Sequence, residues 1–177
     1  MKQLLTIVLL LITIHFANAQ ERVNPIIKNY GGIYEIPEAT VRPNSELQYK
    51  IVVDAKTGAD DKSDLAFALY NSARMINLHA ADGVQKENLK VVLAIHGGAT
   101  FSILKNDVYK KKFGVDNPNI RLIKELKAAG VKLVVCGQSL IGRKVDPEDI
   151  LSEIEIGTSM LTTVSTYQLS GYAVFQF

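Results

Sequence analysis

The chain has 177 residues, of which 47% are hydrophobic and 21% are charged, with 20 Lys and Arg residues against 18 Asp and Glu residues. This composition excludes a disordered chain, and its near-neutral charge provides no basic surface for DNA, RNA or anionic lipid. The single cysteine excludes an intrachain disulfide.

Residues 1–19 have the pattern of a secretory signal peptide. An apolar run from Leu4 to Ile14 follows a basic residue, and Ala17 and Ala19 form a small-x-small cleavage site. The run is too short to cross a hydrocarbon core of about 30 Å as a helix. We therefore expect export across the inner membrane, and a soluble, periplasmic mature protein without a membrane segment.

The chain after the signal peptide begins with an irregular segment. Residues 20–46 contain turn and breaker residues without a sustained period, which predicts an extended N-terminal arm on the sheet edge or on a neighbouring subunit. The β-branched run Leu47–Ala55 predicts the first strand. Acidic and capping residues from Asp60 onward predict a helix that starts there and runs through Leu78.

Strands and helices then alternate to the end of the chain. Apolar runs predict further strands at 89–95, 131–135, 153–156 and 173–177. Helical spacing and capping residues predict helices over 101–113, from Asn117-Pro118 to Gly130, after Ser139, from Asp146-Pro147, and over 158–169. This order predicts an α/β fold with a flavodoxin-like layout, a mainly parallel sheet of about five strands with helices on both faces.

Cys136 is the strongest candidate for a reactive side chain. It follows a buried strand and precedes Gly137, Gln138 and Ser139, where the chain turns into a helix. Unpaired N–H groups and the helix dipole favour a thiolate there, and Gly137 allows a second sulfur or a visiting thiol to approach the backbone. The alternative is an inert core cysteine, because free cysteines are often buried.

His96 ends the preceding strand and is the second candidate. If the two strands are neighbours, His96 lies near Cys136 as a proton acceptor or a cationic neighbour. The alternative is a structural histidine, with Gly97 and Gly98 present for the turn. We take His96 and Cys136 as candidate catalytic residues, and the turn residues as candidate substrate-binding residues: Gly97, Gly98, Gly137, Gln138 and Ser139.

Other kinds of site have little support in the sequence. A metal site would require His79, His96 and Cys136 to converge from separate elements, without the short spacings of zinc sites. The turns also lack a Walker loop, a GxGxxG pattern and a GxSxG motif, so we expect neither a nucleotide cofactor nor a serine hydrolase.

Several segments of the sequence together resemble the DsrE/DsrF-like family, in particular its exported single-domain members. The two most specific are C-G-Q-S-L from Cys136 to Leu140 and T-Y-Q-L-S-G-Y at 166–172; the others are 24–27, 30–34, 88–92 through 96–99, and 115–119. The resemblance implies a DsrE-like domain over 47–177 with a three-layer αβα fold, assembled into trimers or hexamers. In sulfur-relay members, it also implies a persulfide on the cysteine that Cys136 matches.

Two functions therefore remain open from the sequence. The first is a sulfurtransferase-like persulfide carrier in which Cys136 exchanges sulfur with a donor or acceptor protein. The second is a non-catalytic oligomeric module that binds a small ligand or a partner and in which Cys136 only packs. The sequence leaves undecided whether the protein turns over a substrate.

Overall fold

Five strands form one parallel sheet, as predicted. The structure is a computed structural model that describes residues 20–177, so the predicted signal peptide lies outside the described residues. The strands are β1 (Tyr49–Ala55), β2 (Leu89–Ile95), β3 (Lys132–Cys136), β4 (Glu155–Gly157) and β5 (Ala173–Gln176). Every neighbouring pair is parallel, and the order across the sheet is β4-β3-β2-β1-β5. This order differs from the flavodoxin-like order β2-β1-β3-β4-β5, because β1 here pairs with β2 and β5.

Helices cover both faces of this sheet, so the three-layer α/β architecture is confirmed. The helices are α1 (Phe67–Ala81), α2 (Asn106–Phe113), α3 (Ile120–Ala128), α4 (Gly137–Arg143) and α5 (Met160–Leu169). The main core lies on one face, where α1 and α3 bury side chains such as Leu69 and Leu126. The opposite face, called the α5 face below, has a small core of Val52, Val92 and Val134 under α5. Most strand and helix boundaries agree with the sequence prediction to within about two residues.

Helix α1 begins later than the acidic residues predict. The Asp61 carboxylate accepts hydrogen bonds from the backbone N–H of Ser63 at 2.8 Å and from its hydroxyl at 2.7 Å. Such a local side-chain bond closes a turn that competes with the helix. The backbone N–H of Ala66, just before α1, donates to the Asn119 side-chain oxygen at 2.8 Å. The prediction of a helix from Asp60 is therefore wrong by about two turns.

The predicted helix over 101–113 is divided in two. Gly97–Ile103 form a 3-10 helix, and α2 starts only at Asn106. Between them Leu104 is extended and forms an isolated antiparallel bridge with Ile150. The helix predicted from Asp146-Pro147 is likewise only a 3-10 turn over Pro147–Asp149. Both departures come from this long-range pairing, which local periodicity does not encode.

The N-terminal segment packs on α1 rather than along the sheet edge. Ile27 and Ile33 are 1% and 2% exposed, and the wholly buried Asn77 of α1 binds the segment's backbone through both side-chain atoms. At Gly31, which has a φ of 65°, a Cβ would lie 2.4 Å from the backbone nitrogen of Arg74. The segment lacks regular helices and strands, but its first half is a packed part of the domain.

Helices in the described part of the chain, residues 20–177, are all too short or too polar to cross a membrane.

Candidate functional site

The two candidate catalytic residues lie at the same edge and on the same face of the sheet. In parallel strands all carboxyl ends meet at one edge, and alternate residues share a face. Cys136 is two residues beyond Val134 and His96 is four beyond Val92, so both lie on the α5 face. Because Ile95 pairs with Val135, His96 and Cys136 stand level on neighbouring strands.

Cys136 is buried, with only 6% of the residue exposed to solvent. It lies between two helix starts, since α4 begins at the next residue and the register partner Gly157 leads into α5. The side chain makes no capping hydrogen bond of standard geometry to α4. It does interact with polar hydrogens from both helices.

The pKa of Cys136 is lowered even though the thiol is buried. Burial raises the pKa, but the Ser139 hydroxyl and the backbone N–H groups of Met160, Ser139 and Gln138 lower it by more. Fixed N–H dipoles at helix starts stabilise a thiolate in this way. At a given pH, Cys136 therefore has a larger thiolate fraction than an ordinary cysteine.

Two of the three residues after Cys136 act on the sulfur. Ser139 contributes its hydroxyl and its N–H, and Gln138 contributes its N–H. Gly137 allows β4 to approach, because a Cβ there would lie 2.9 Å from the carbonyl oxygen of Gly157. The C-G-Q-S segment thus surrounds the thiol with backbone and hydroxyl donors.

The His96 imidazole is bound to a residue that the sequence reading missed. Its Nε2 is hydrogen-bonded to one carboxylate oxygen of Asp54 on β1. The other carboxylate oxygen accepts a hydrogen bond from Gln176 Nε2 at 3.1 Å. The His96 and Asp54 side chains are 14% and 17% exposed. No hydrogen bond within residues 20–177 joins His96 to Cys136. The only signal for Asp54 was a charge inside the apolar run of β1.

The two glycines after His96 lie against the chain that follows β1. Gly97 has a φ of 55°, and a Cβ there would lie 3.0 Å from the Lys56 carbonyl oxygen. A Cβ on Gly98 would lie 3.2 Å from the backbone nitrogen of Gly58. These contacts give both glycines a role in packing the turn, beside the His96 end of the candidate site.

His79 lies away from this edge. Its Nδ1 is 2.8 Å from the Met75 carbonyl oxygen, and its ring packs edge-on against Tyr49. Across residues 20–177, no three His, Cys, Asp or Glu side chains come together as a metal site.

A groove of about 380 Å³ lies between β4 and α5, and Cys136 is not among the residues that line it. Its lining includes Gly157, the register partner of Cys136, and the threonines Thr158, Thr162 and Thr163. The Lys132 ammonium and the Glu155 carboxylate pair at 3.1 Å and also line the groove. It is a polar, open recess of a size that suits a small molecule.

Comparisons with known proteins identify relatives by sequence family and by fold. The model of the DsrE/DsrF-like family matches residues 48–177. The protein of unknown function MTH1491 from Methanobacterium thermoautotrophicum superposes with a TM-score of 0.53 at 15% identity, covering 73% of this chain and 99% of that one. The ychN protein from E. coli gives a TM-score of 0.50 at 24% identity, with the same coverage. These identities show a shared fold alone, and no curated protein matches the chain.

Proposed function

Because the chain belongs to the DsrE/DsrF-like family, we propose that it handles sulfur by carrying a sulfane sulfur on Cys136. Family membership supports a role related to sulfur relay, and the carrier role of Cys136 is our own step beyond it. The observation that supports this step most strongly is the lowered pKa of a thiol placed between the starts of α4 and α5.

The proposed loading step is a nucleophilic displacement. The Cys136 thiolate attacks the outer sulfur of a donor such as thiosulfate, forming a Cys136 S–S bond. The donor's own S–S bond breaks, and its electron pair leaves with sulfite. The sulfane sulfur changes carrier, so no external oxidant or reductant is needed. Gln138 and Ser139 supply N–H and hydroxyl donors that stabilise the anionic sulfur, Gly137 allows β4 to approach, and Gly97 and Gly98 shape the turn after His96.

Intact-mass spectrometry tests the carrier role. After incubation with thiosulfate or inorganic polysulfide, the protein should gain the mass of one sulfur atom, and a reducing thiol should remove it. Cys136→Ser is the matched control, because it leaves the chain without a thiol. A wild type that stays unmodified, or an adduct that persists in Cys136→Ser, would refute the proposal.

A second candidate is a non-catalytic binding module in which Cys136 packs. The 6% exposure of Cys136 and the polar groove between β4 and α5 favour this alternative. Labelling the native protein with a small alkylating reagent separates the two. Reaction at mildly acidic pH supports the carrier, whereas resistance until denaturation supports the binding module.

We also propose a homo-oligomer, a trimer or hexamer, assembled through the α5 face. Members of this family often oligomerise, and α5 leaves Leu161 72% and Leu169 89% exposed. Light scattering should show dissociation in Leu169→Glu. Val41→Glu is the matched control, since Val41 is 90% exposed but lies in the N-terminal segment. Equal masses for the two variants would exclude this interface.

Residues 1–19 support export to the periplasm as part of the proposal. Periplasmic protein from a Gram-negative host should begin at Gln20 when its N-terminus is sequenced. Retention of Met1 in the cytoplasmic fraction would contradict export.

A further inference from the structure

Asp54 is a carboxylate that the proposed sulfur chemistry leaves unused. Both of its oxygens have partners, His96 Nε2 on one and Gln176 Nε2 on the other. Asp54 and His96 lie on the α5 face, the face that carries Cys136, and less than a fifth of each of their side chains is exposed. Shielding from water strengthens a hydrogen bond between a carboxylate and an imidazole.

We propose that Asp54 is a positioning residue, which holds His96 with its proton on Nε2 so that Nδ1 exchanges a proton with the thiol that visits Cys136. An ionised carboxylate only accepts hydrogen bonds, so the nitrogen facing it must carry the proton. In neutral imidazole the other nitrogen is then an acceptor. This inference rests on the proposed carrier function and adds a proton route to it.

The free nitrogen is reachable. His96 Nδ1 makes no hydrogen bond within residues 20–177. Thr100 Oγ1 is the one buried side-chain nitrogen or oxygen in that range without a partner, so His96 Nδ1 is not a buried atom. His96 Nδ1 is therefore exposed to solvent or to a visiting group. His96 and Cys136 are level on neighbouring strands, which are about 4.8 Å apart. In the proposed step, a thiol that attacks the outer sulfur on Cys136 approaches at the edge of the sheet where the imidazole lies.

The visiting thiol is the group that needs a base. Cys136 already has polar hydrogens from α4 and α5, whereas a free thiol has a pKa of about 8.5 and arrives protonated at pH 7. In the unloading step, the thiol proton moves to His96 Nδ1 and the resulting thiolate attacks the outer sulfur of the Cys136 persulfide. A new S–S bond forms, the Cys136 S–S bond breaks, and its electron pair stays on Cys136 as thiolate. The imidazolium then returns the proton to water.

Nitrogen-15 NMR of the full chain tests the tautomer directly. His79 is an internal reference for the other tautomer. Its Nδ1 faces the Met75 carbonyl oxygen, which only accepts hydrogen bonds, so its proton is expected on Nδ1. We expect an Nε2–H tautomer for His96 and an Nδ1–H tautomer for His79, with each signal assigned by its loss on substitution to Gln. A proton on Nδ1 of His96 in the unaltered protein overturns the proposal, with no need for a variant.

Asp54→Asn supplies the functional test. Gln176 donates to this side chain, so the new amide oxygen faces Gln176 and its NH2 group faces His96. An NH2 group donates, which forces the His96 proton onto Nδ1 and removes the base. We expect transfer from persulfidated Cys136 to free cysteine to slow about a hundredfold at pH 7.

The pH profile separates positioning from a structural effect. Above the pKa of the acceptor thiol no base is needed, so the Asp54→Asn and wild-type rates should converge. The elements around His96 carry these ionisable side chains: Tyr49, Lys50 and Asp54 on β1, Lys90 on β2, Lys132 and Cys136 on β3, Tyr167 on α5, and Lys56 directly after β1. Asp54, Lys56 and Cys136 are those at the carboxyl edge of the sheet, where His96 lies. Asp116→Asn, at an exposed carboxylate paired with Lys110 at 3.2 Å, is the control and should leave the profile unchanged.

The outcomes distinguish this inference from the carrier proposal. If the wild type gains no sulfur, the carrier proposal itself fails. If the wild type and Asp54→Asn both load and their transfer rates differ by the same factor at every pH, or do not differ, only the role of Asp54 and His96 is refuted.

Discussion

Removal of the Ser139 hydroxyl should make Cys136 less acidic. That hydroxyl is the strongest of the interactions that lower the pKa of the thiol, and three backbone N–H interactions remain when it is lost. A hydrogen bond to a charged group contributes about 1.5–3 kcal/mol, and Ser139 is partly exposed, so we take the lower limit. About 1.4 kcal/mol corresponds to a tenfold change in an ionisation equilibrium. In Ser139→Ala, the thiolate fraction well below the pKa should therefore fall about tenfold.

The pH dependence of alkylation by iodoacetamide measures this change. Cys136 is the only cysteine, so the whole rate belongs to one thiol. Ser165→Ala is a matched control, because the Ser165 hydroxyl donates to the Thr162 carbonyl and does not act on the sulfur. The Ser139→Ala profile should move to higher pH while the maximal rate at high pH stays similar. Coincident profiles for wild type and Ser139→Ala would show that the hydroxyl does not stabilise the thiolate.

Two further predictions concern stability. A thiol whose pKa is lowered on folding adds stability as pH rises from its folded pKa towards the pKa of the unfolded chain. The difference in unfolding free energy between wild type and Cys136→Ser should therefore grow with pH over that interval. A difference in urea unfolding that stays constant with pH would contradict this. Asn77→Ala removes the buried side chain that binds the backbone of Ile27, Tyr30 and Gly31. It should lower the free energy of unfolding by about 3 kcal/mol and make residues 20–46 accessible to protease. Asn44→Ala, at an exposed position of the same segment, should have neither effect.

The fold was predictable because its strands are short apolar runs, which the local sequence reveals without knowledge of the strands they pair with. Leu89–Ile95 was predicted with the boundaries that the structure gives, since nearly every side chain in it is buried. The failures lie where a distant residue determines the local conformation. Asn119 binds the N–H of Ala66 just before α1, and Leu104 forms a bridge with Ile150. Neither pairing leaves a periodic signal in the sequence.

The candidate site was predictable only in part, for the same reason. Cys136 follows a strand and precedes a turn, so local sequence identifies its setting. Asp54 is distant from His96 along the chain and reaches it only because β1 lies beside β2 and residues 54 and 96 share a face. Strand order and facing come from tertiary structure, so this partner was invisible in the sequence. The burial of Ile27 and Ile33 was missed likewise, because the surface on which they pack exists only in the folded chain.

The proposed sulfur chemistry is divided between two groups of residues. Ser139 and the N–H groups of α4 and α5 act on the Cys136 sulfur, whereas Asp54 and Gln176 act on His96. A thiolate stabilised by a neighbouring histidinium is destabilised when that histidine loses its proton, whereas the dipoles of backbone N–H groups are the same at every pH. Ser139→Ala should therefore move the alkylation profile and leave the His96 tautomer unchanged, and Asp54→Asn should do the reverse. A variant that moved both would mean that the imidazole and the thiol titrate as one coupled pair.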